Sequence, residues 1–377
     1  MKKYNVGLIG GGFMGKAHSI AYAAMPMFFW PAPCIPVRKK FSEITKDMAK
    51  DGAERFGFES YTDDWHDIIN DPEIDVVDIS TPNNLHAEMA IAAAKAGKHI
   101  LCEKPIATTT EDAKAMLDAV TKAGVKNQLA FNYRRMPAVV LAKKFIDEGA
   151  IGKVLTYRGT YLSGGDQNGA MGWRQKKDIS GYGVLGDIGT HSIDIARYLV
   201  GDFAEVNGEL KTIVPMRPIK PGSDILGKVE TDDEAGFSIR FASGAMGSIE
   251  VSGNSWGRHN RLAFELYGEK GAILYDYEKR DELQVFFSSD PIDRRGFRTI
   301  YTGGPEHPYG QGLWPIAGIG LGYGELKIIE CYDFFKSIVE NTVNTPNFRD
   351  GYEISMICDA IAKSSDTGLW EKPDYVK

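Results

Sequence analysis

One stretch constrains this chain more than any other: Val6-Gly7-Leu8-Ile9-Gly10-Gly11-Gly12-Phe13-Met14-Gly15. The short apolar run from Val6 to Ile9 reads as a buried parallel strand. It turns on Gly10, Gly12 and Gly15 into a segment of helical character, Lys16 to Ala24. That is G-x-G-x-x-G in the strand–turn–helix setting that gives the pattern meaning. Gly10 makes the tight turn, Gly12 lets backbone approach a pyrophosphate, and Gly15 lets the helix pack close on the strand. The helix N-terminus offers unpaired N–H groups and a partial positive charge to phosphates, and Phe13 and Met14 of the turn are candidate cofactor contacts. With 42 glycines in the chain, the flanking strand and helix give the pattern its weight.

Strands and helices then alternate to about residue 135. Strands are expected at Val37–Ser42, Ile74–Ser80, His99–Cys102 and Asn127–Phe131. Helices are expected at Thr45–Phe56, at Leu85–Ala96, and at Glu111–Ala123 with Thr110 as its cap. This rhythm predicts an α/β, doubly wound parallel sheet. Ligands of such sheets bind beyond the carboxyl ends of the strands. Thr81, Pro82, Asn83, Glu103, Lys104, Asn132 and Tyr133 stand at those ends, and His86 lies one turn into the helix after Pro82-Asn83. Glu43, at the end of the second strand, is the candidate for the adenosine ribose hydroxyls and against a 2′-phosphate. It follows Gly10 by 33 residues, where about 20 is usual. The excess is the stretch Met25–Pro36, whose four prolines are expected to exclude a helix. That apolar stretch is either a loop buried under another domain or subunit, or a wall of the ligand pocket. Arg38, Lys39 and Lys40 offer an alternative grip on a 2′-phosphate, but the carboxylate favours NAD over NADP.

The second half changes character. Seven candidate strands between Val154 and Phe287 have few helices between them, which predicts an α+β domain with an open, mainly antiparallel sheet. The helices expected at Pro137–Glu148 and Asp187–Leu199 would cover one face and leave the other for a subunit interface. Two helices close the chain, Leu326–Asn341 and Gly351–Ser365. The expected division is 1–135 for the dinucleotide and 136–377 for substrate and oligomerisation; 377 residues exceed one core. A net charge of −7 argues against a nucleic-acid partner. No run approaches the ~20 apolar residues of a membrane span, and the reading is cytoplasmic. The four cysteines lack metal or disulfide spacing, so no metal is expected.

Two places could carry chemistry. Lys104 follows a buried strand and precedes Pro105; it is either a surface lysine in a turn or a group held over a nicotinamide, handling a proton or an alkoxide. In Gly186-Asp187-Ile188-Gly189-Thr190-His191, a helix starting near Asp187 would put Asp187 and His191 on one face. An imidazole beside a carboxylate suits removal of a hydroxyl proton; a helix-start aspartate beside an ordinary histidine is the plainer reading. Tyr133 and Arg134 are candidate sugar contacts, with an ion pair as the alternative for Arg134. Trp173 and Arg174 sit in a polar loop from Ser163 to Tyr182, the ring suited to a pyranose face and the guanidinium to cofactor or substrate. His18, His66, His99 and His259 read as ordinary histidines.

Gly10-x-Gly12-x-x-Gly15, Glu103-Lys104-Pro105 and Asp187-x-x-x-His191, in that order, resemble the glucose–fructose oxidoreductase, inositol dehydrogenase and rhizopine catabolism (Gfo/Idh/MocA) family. The resemblance covers nearly the whole chain, including Pro346-x-Phe348-x-Asp350-Gly351-Tyr352. It implies a Rossmann domain, a C-terminal open sheet, and homodimers or homotetramers built through that sheet. It also implies NAD-linked oxidation of a secondary hydroxyl on a sugar or cyclitol. On this resemblance Lys104, Asp187 and His191 are the catalytic positions, Lys104 and His191 dealing with the hydroxyl proton and Asp187 orienting the sugar. The insert Ala24–Pro33 is similar to that of the family branch that oxidises the C3 hydroxyl of anhydrosugars such as levoglucosan. Relatives that act as non-catalytic NAD-binding sensors, or as hydrolases or lyases that oxidise C3 transiently, define the alternatives.

Overall fold

The computed structural model describes residues 1–165 and 169–375. The chain divides into two compact units, Met1–Asn132 with Leu321–Tyr352, and Tyr133–Gly320 with Glu353–Lys377.

The first unit is built on β1 (Lys3–Ile9), α1 (Phe13–Phe28), β2 (Ile35–Ser42), α2 (Lys46–Phe56), β3 (Ser60–Thr62), α3 (His66–Ile69), β4 (Val76–Ile79), α4 (His86–Lys95), β5 (His99–Cys102), α5 (Thr110–Ala123) and β6 (Asn127–Leu129). Its six strands pair in parallel in the order β3-β2-β1-β4-β5-β6. The order reverses beside β1, which opens the crevice where such folds take a dinucleotide. All of β4 is buried, as a strand covered on both faces requires. Local signals set the helices. Thr45 caps α2 by accepting the N–H of Met48, and Gly57 ends it at φ +73°. Thr109, not Thr110, is the cap of α5: its side chain accepts the N–H three residues on, at Asp112.

One expectation fails here. α1 runs through Pro26 to Phe28. A proline removes one hydrogen bond and clashes with the preceding turn, but Pro26 sits in the last turn, with only Met27 and Phe28 after it in the helix. The rest of the insert is divided. Met25, Phe29, Ala32 and Cys34 are buried, and Phe29 stacks on Tyr332 at 4.0 Å, while Met27 and Trp30 are exposed.

The second unit carries α6 (Pro137–Asp147), β7 (Val154–Leu162), α7 (Lys177–Ser180), α8 (Thr190–Val200), β8 (Phe203–Lys211), β9 (Met216–Pro218), β10 (Leu226–Lys228), β11 (Glu234–Phe241), β12 (Met246–Ser252), β13 (Arg261–Gly268), β14 (Gly271–Asp276), β15 (Glu282–Phe287) and β16 (Arg298–Tyr301). Eight strands form one open sheet in the order β16-β15-β14-β13-β7-β12-β11-β8. All neighbours are antiparallel except β7 and β12, which run parallel. In β11, Ala235, Phe237, Ile239 and Phe241 are buried and the residues between them are not, the alternation of a sheet with one covered face. α8 packs on β7, and α6 on β14 and β15. β9 and β10 form a separate ribbon.

The tail carries α9 (Tyr323–Glu340), which belongs to the first unit, and α10 (Phe348–Thr367), whose first turn does too. Among the described residues, no helix is long and apolar enough to cross a membrane, and no cluster of His, Cys, Asp and Glu could hold a metal.

Candidate active site

The glycine turn has the shape a dinucleotide needs. Gly10 adopts φ +99°, where a side chain would be strained. A Cβ on Gly15 would fall 2.1 Å from the Gly10 carbonyl oxygen, so α1 meets the turn only because position 15 has no side chain. A Cβ on Gly12 would meet nothing within 4 Å, which leaves that stretch of backbone open to a ligand. Gly12 caps α1 without any side-chain hydrogen bond, so the first-turn N–H groups keep their pull on an anion. Phe13 is exposed, with its ring 5.4 Å from that of Tyr323, and the Tyr323 hydroxyl points to Met14 Sδ at 3.4 Å.

Glu43 closes this turn. Its Oε1 accepts the N–H of Gly11 at 2.7 Å and its Oε2 the N–H of Ile44 at 2.9 Å. The three neighbouring cations are committed elsewhere. Arg38 donates to the Phe56 carbonyl, Lys39 pairs with Glu59 and Glu73, and Lys40 pairs with Asp71. A carboxylate at the turn and no uncommitted cation among these three suit a ribose diol better than a 2′-phosphate.

The other strand-end residues gather at the carboxyl edge of the same sheet. Asn83 is buried at the start of a short turn, Asn83–Leu85. His86 is buried between two carbonyls, with Nδ1 2.9 Å from Pro105 O and Nε2 3.0 Å from Thr81 O. Burial holds its pKa below the usual range, so the neutral ring donates to one carbonyl at a time. It thereby braces the Thr81-Pro82 turn against the Lys104-Pro105 turn. Glu103 is turned inward, with its side chain in the core, so what it presents at the edge is main chain. Lys104 is half-buried and its N–H reaches Glu103 Oε2 at 3.2 Å. The Asn132 side chain is buried, and its Nδ2 has no hydrogen-bond partner among the described residues.

The second unit holds the other candidates. Leu185–Gly189 is a π-helical turn that runs into α8. The helix expected from Asp187 therefore begins with a wider turn, closed by the Thr190 N–H on the Leu185 carbonyl. Asp232 anchors that turn. Its Oδ1 accepts the N–H of Gly183 at 2.7 Å and its Oδ2 the N–H of Leu185 at 2.8 Å. Burial raises the Asp232 pKa, and these N–H groups act against that rise. Asp187 pairs with Arg174, Nε to Oδ2 at 2.9 Å, and the guanidinium lies over the Trp173 ring at 4.3 Å. The Arg174 carbonyl accepts the hydroxyls of Thr231 and Ser180. Residues 166–168 of this loop lie outside those described.

His191, the second residue of α8, is 6% exposed and sits edge-on to Tyr133 at 4.7 Å, with Tyr161 at 6.1 Å. The hydroxyls of Tyr133 and Tyr161 and the amide of Asn260 form a closed triangle at 2.6 to 3.0 Å. Arg134 makes a buried two-pronged pair with Asp194 and lies over Tyr198, which is the ion-pair alternative. Sequence reasoning missed Asp232, Asn260 and Tyr161. Asp232 stands in the run Thr231-Asp232-Asp233-Glu234, which looks like a solvated face; Asn260 and Tyr161 carry no local signal.

Residues 4–131 match the model of the oxidoreductase family with an NAD-binding Rossmann fold, and residues 139–274 match the GFO/IDH/MocA C-terminal domain. The chain belongs to the GFO/IDH/MocA family of NAD-binding oxidoreductases. Within that family it is 58% identical to levoglucosan dehydrogenase of Pseudarthrobacter phenanthrenivorans, over 98% of each chain. It is 31% identical to myo-inositol 2-dehydrogenase of Thermotoga maritima, over 69% of this chain and 73% of that one. The solved structure of levoglucosan dehydrogenase in complex with NADH and levoglucosan matches it with a TM-score of 0.97, at 57% identity over the whole of both chains.

Proposed function

We propose that this GFO/IDH/MocA oxidoreductase oxidises a secondary hydroxyl of an anhydrosugar of the levoglucosan type, at C3, with NAD as acceptor. The observation that carries the reading is the full-length likeness to levoglucosan dehydrogenase, with Lys104, Asp187 and His191 all present. NAD would lie on the Gly10–Gly15 turn with its adenosine ribose at Glu43, and toward Thr81, Pro82, Asn83, Lys104 and Asn132. When bound, it supplies the hydride acceptor.

The chain's own residues handle the sugar. The His191 imidazole is suited to accept the proton of the reacting hydroxyl, and the Lys104 ammonium to donate a hydrogen bond where charge develops. Asp187, whose Oδ2 is held by Arg174 Nε, orients a neighbouring hydroxyl. Trp173 offers a ring face to the sugar. The polar outer face of the eight-stranded sheet serves as the surface between subunits of a dimer or tetramer in the cytoplasm.

The test is NADH formation over a panel of levoglucosan, glucosides and inositols with NAD and NADP. Fastest turnover with levoglucosan and NAD, yielding the 3-ketone, is expected. Turnover confined to inositols, cleavage without NADH, or NAD binding with no turnover would overturn the substrate assignment. Light scattering reports the oligomer.

A further inference from the structure

His18 is not an ordinary histidine. It meets Asp78 on β4, Glu103 just after β5 and Lys327 on α9 in the core of the first unit; Lys327 pairs in turn with Glu330, and none of the five is more than 4% exposed. His18 Nδ1 lies 2.8 Å from Asp78 Oδ2, and its Nε2 3.1 Å from Glu103 Oε1. Lys327 Nζ donates to the same Glu103 oxygen at 2.9 Å and to Glu330 Oε2 at 2.8 Å. The Tyr22 hydroxyl donates to Asp78 at 2.6 Å. Burial alone would lower the pKa of His18, but the Asp78 carboxylate outweighs it and raises the pKa to about 9. Burial likewise opposes the charges of Glu103 and Lys327, but their opposite partners keep the carboxyl well below its usual range and the ammonium above its own.

Each buried ion costs several kcal/mol to desolvate, and an apolar filling of the same volume would avoid that. What charges add is direction. Oε1 of Glu103 is gripped by two cations, 3.2 Å apart, and Oε2 accepts the N–H of Lys104. The first cation stands on α1, the helix whose first turn faces the dinucleotide; the second comes from α9.

We propose that His18 and Lys327 are positioning residues for Lys104: they clamp Glu103 beneath the Glu103-Lys104-Pro105 turn and so fix where the Lys104 ammonium stands relative to the start of α1. The proposal rests on the role given to Lys104 above. It does not require either residue to touch sugar or cofactor.

The experiment compares Lys327→Met, Lys327→Arg and Lys104→Ala in the full chain, with NAD affinity, kcat and kcat/KM for levoglucosan as readouts. In folded Lys327→Met, kcat and kcat/KM should fall together by about 10²-fold, the cost of a small misplacement of a reacting group, while NAD affinity holds. Lys327→Arg, which keeps the charge, should recover most of the loss. Where Lys327→Met fails to fold, Glu103→Gln keeps the shape, weakens the clamp and should show the same fall. A folded variant that turns over at the wild-type rate overturns the proposal, as does a loss expressed wholly as weaker NAD binding. Wild-type turnover in Lys104→Ala would instead overturn the role of Lys104 itself.

Discussion

Lys104 and His191 stand on opposite kinds of support. Beneath Lys104 is a core of ions: three carboxylates, an ammonium and an imidazolium, all excluded from water. Around His191 are aromatic rings and a neutral triangle of hydroxyls and amide, with Asp232 accepting backbone N–H groups at the turn before it. Ionic support is directional but depends on every member holding its charge. Ring packing is less directional and indifferent to pH. One fold thus seats two candidate reacting groups by different physics, and the two seats should fail under different conditions.

The largest effect should come from removing the two proposed reacting groups. Lys104→Ala and His191→Ala should each cut kcat by about 10²- to 10⁴-fold, with NAD still bound in fluorescence titration. Equal losses would mean that the two supports deliver equal precision. The next effect separates the supports by pH. The pKa of His18 is raised from 6.5 unfolded to about 9 folded. Its contribution is therefore complete below pH 6.5 and is lost as pH rises through 9. Urea unfolding should show a decline on the order of 3 kcal/mol across that window, and His18→Gln should flatten it. If His18→Gln leaves the slope unchanged, the ionic core is not what pH acts on.

Smaller effects are expected on the other side. Asp232→Ala strips two buried N–H groups of their acceptor and should cost about 1–3 kcal/mol, with Asp232→Asn milder. An Asp232→Ala protein as stable as the wild type would show that rings alone seat the π-helical turn. Arg174→Ala should change stability by less than about 1 kcal/mol, because its pair with Asp187 is half exposed. Its effect should appear in KM for the sugar.

What was legible in the sequence was what local rules write. The glycine turn, the parallel strands, the helix α2 and the strands of the second half each depend on residues a few positions apart. Where local signals were ambiguous, the reading slipped by little: Thr109 and Thr110 are adjacent and both able to cap, and Pro26 falls where a helix has almost finished with its hydrogen bonds. The supports of the two candidate reacting groups were not legible. Lys327 and Glu103 are 224 residues apart, and Arg134 and Asp194 are 60 apart. No periodicity announces such pairs, and an isolated buried histidine looks in sequence like any other.

The return of α9 to the first unit sets an order of events during synthesis. When the ribosome has released β6, the nascent Rossmann sheet already holds Glu103 but has no ammonium to set against it. That ammonium arrives with Lys327, after the whole eight-stranded sheet has been made. Until then Glu103 is held from the His18 side alone and the face of the core that α9 covers stays open, so a chain cut at the end of β6 should not persist as a stable fragment.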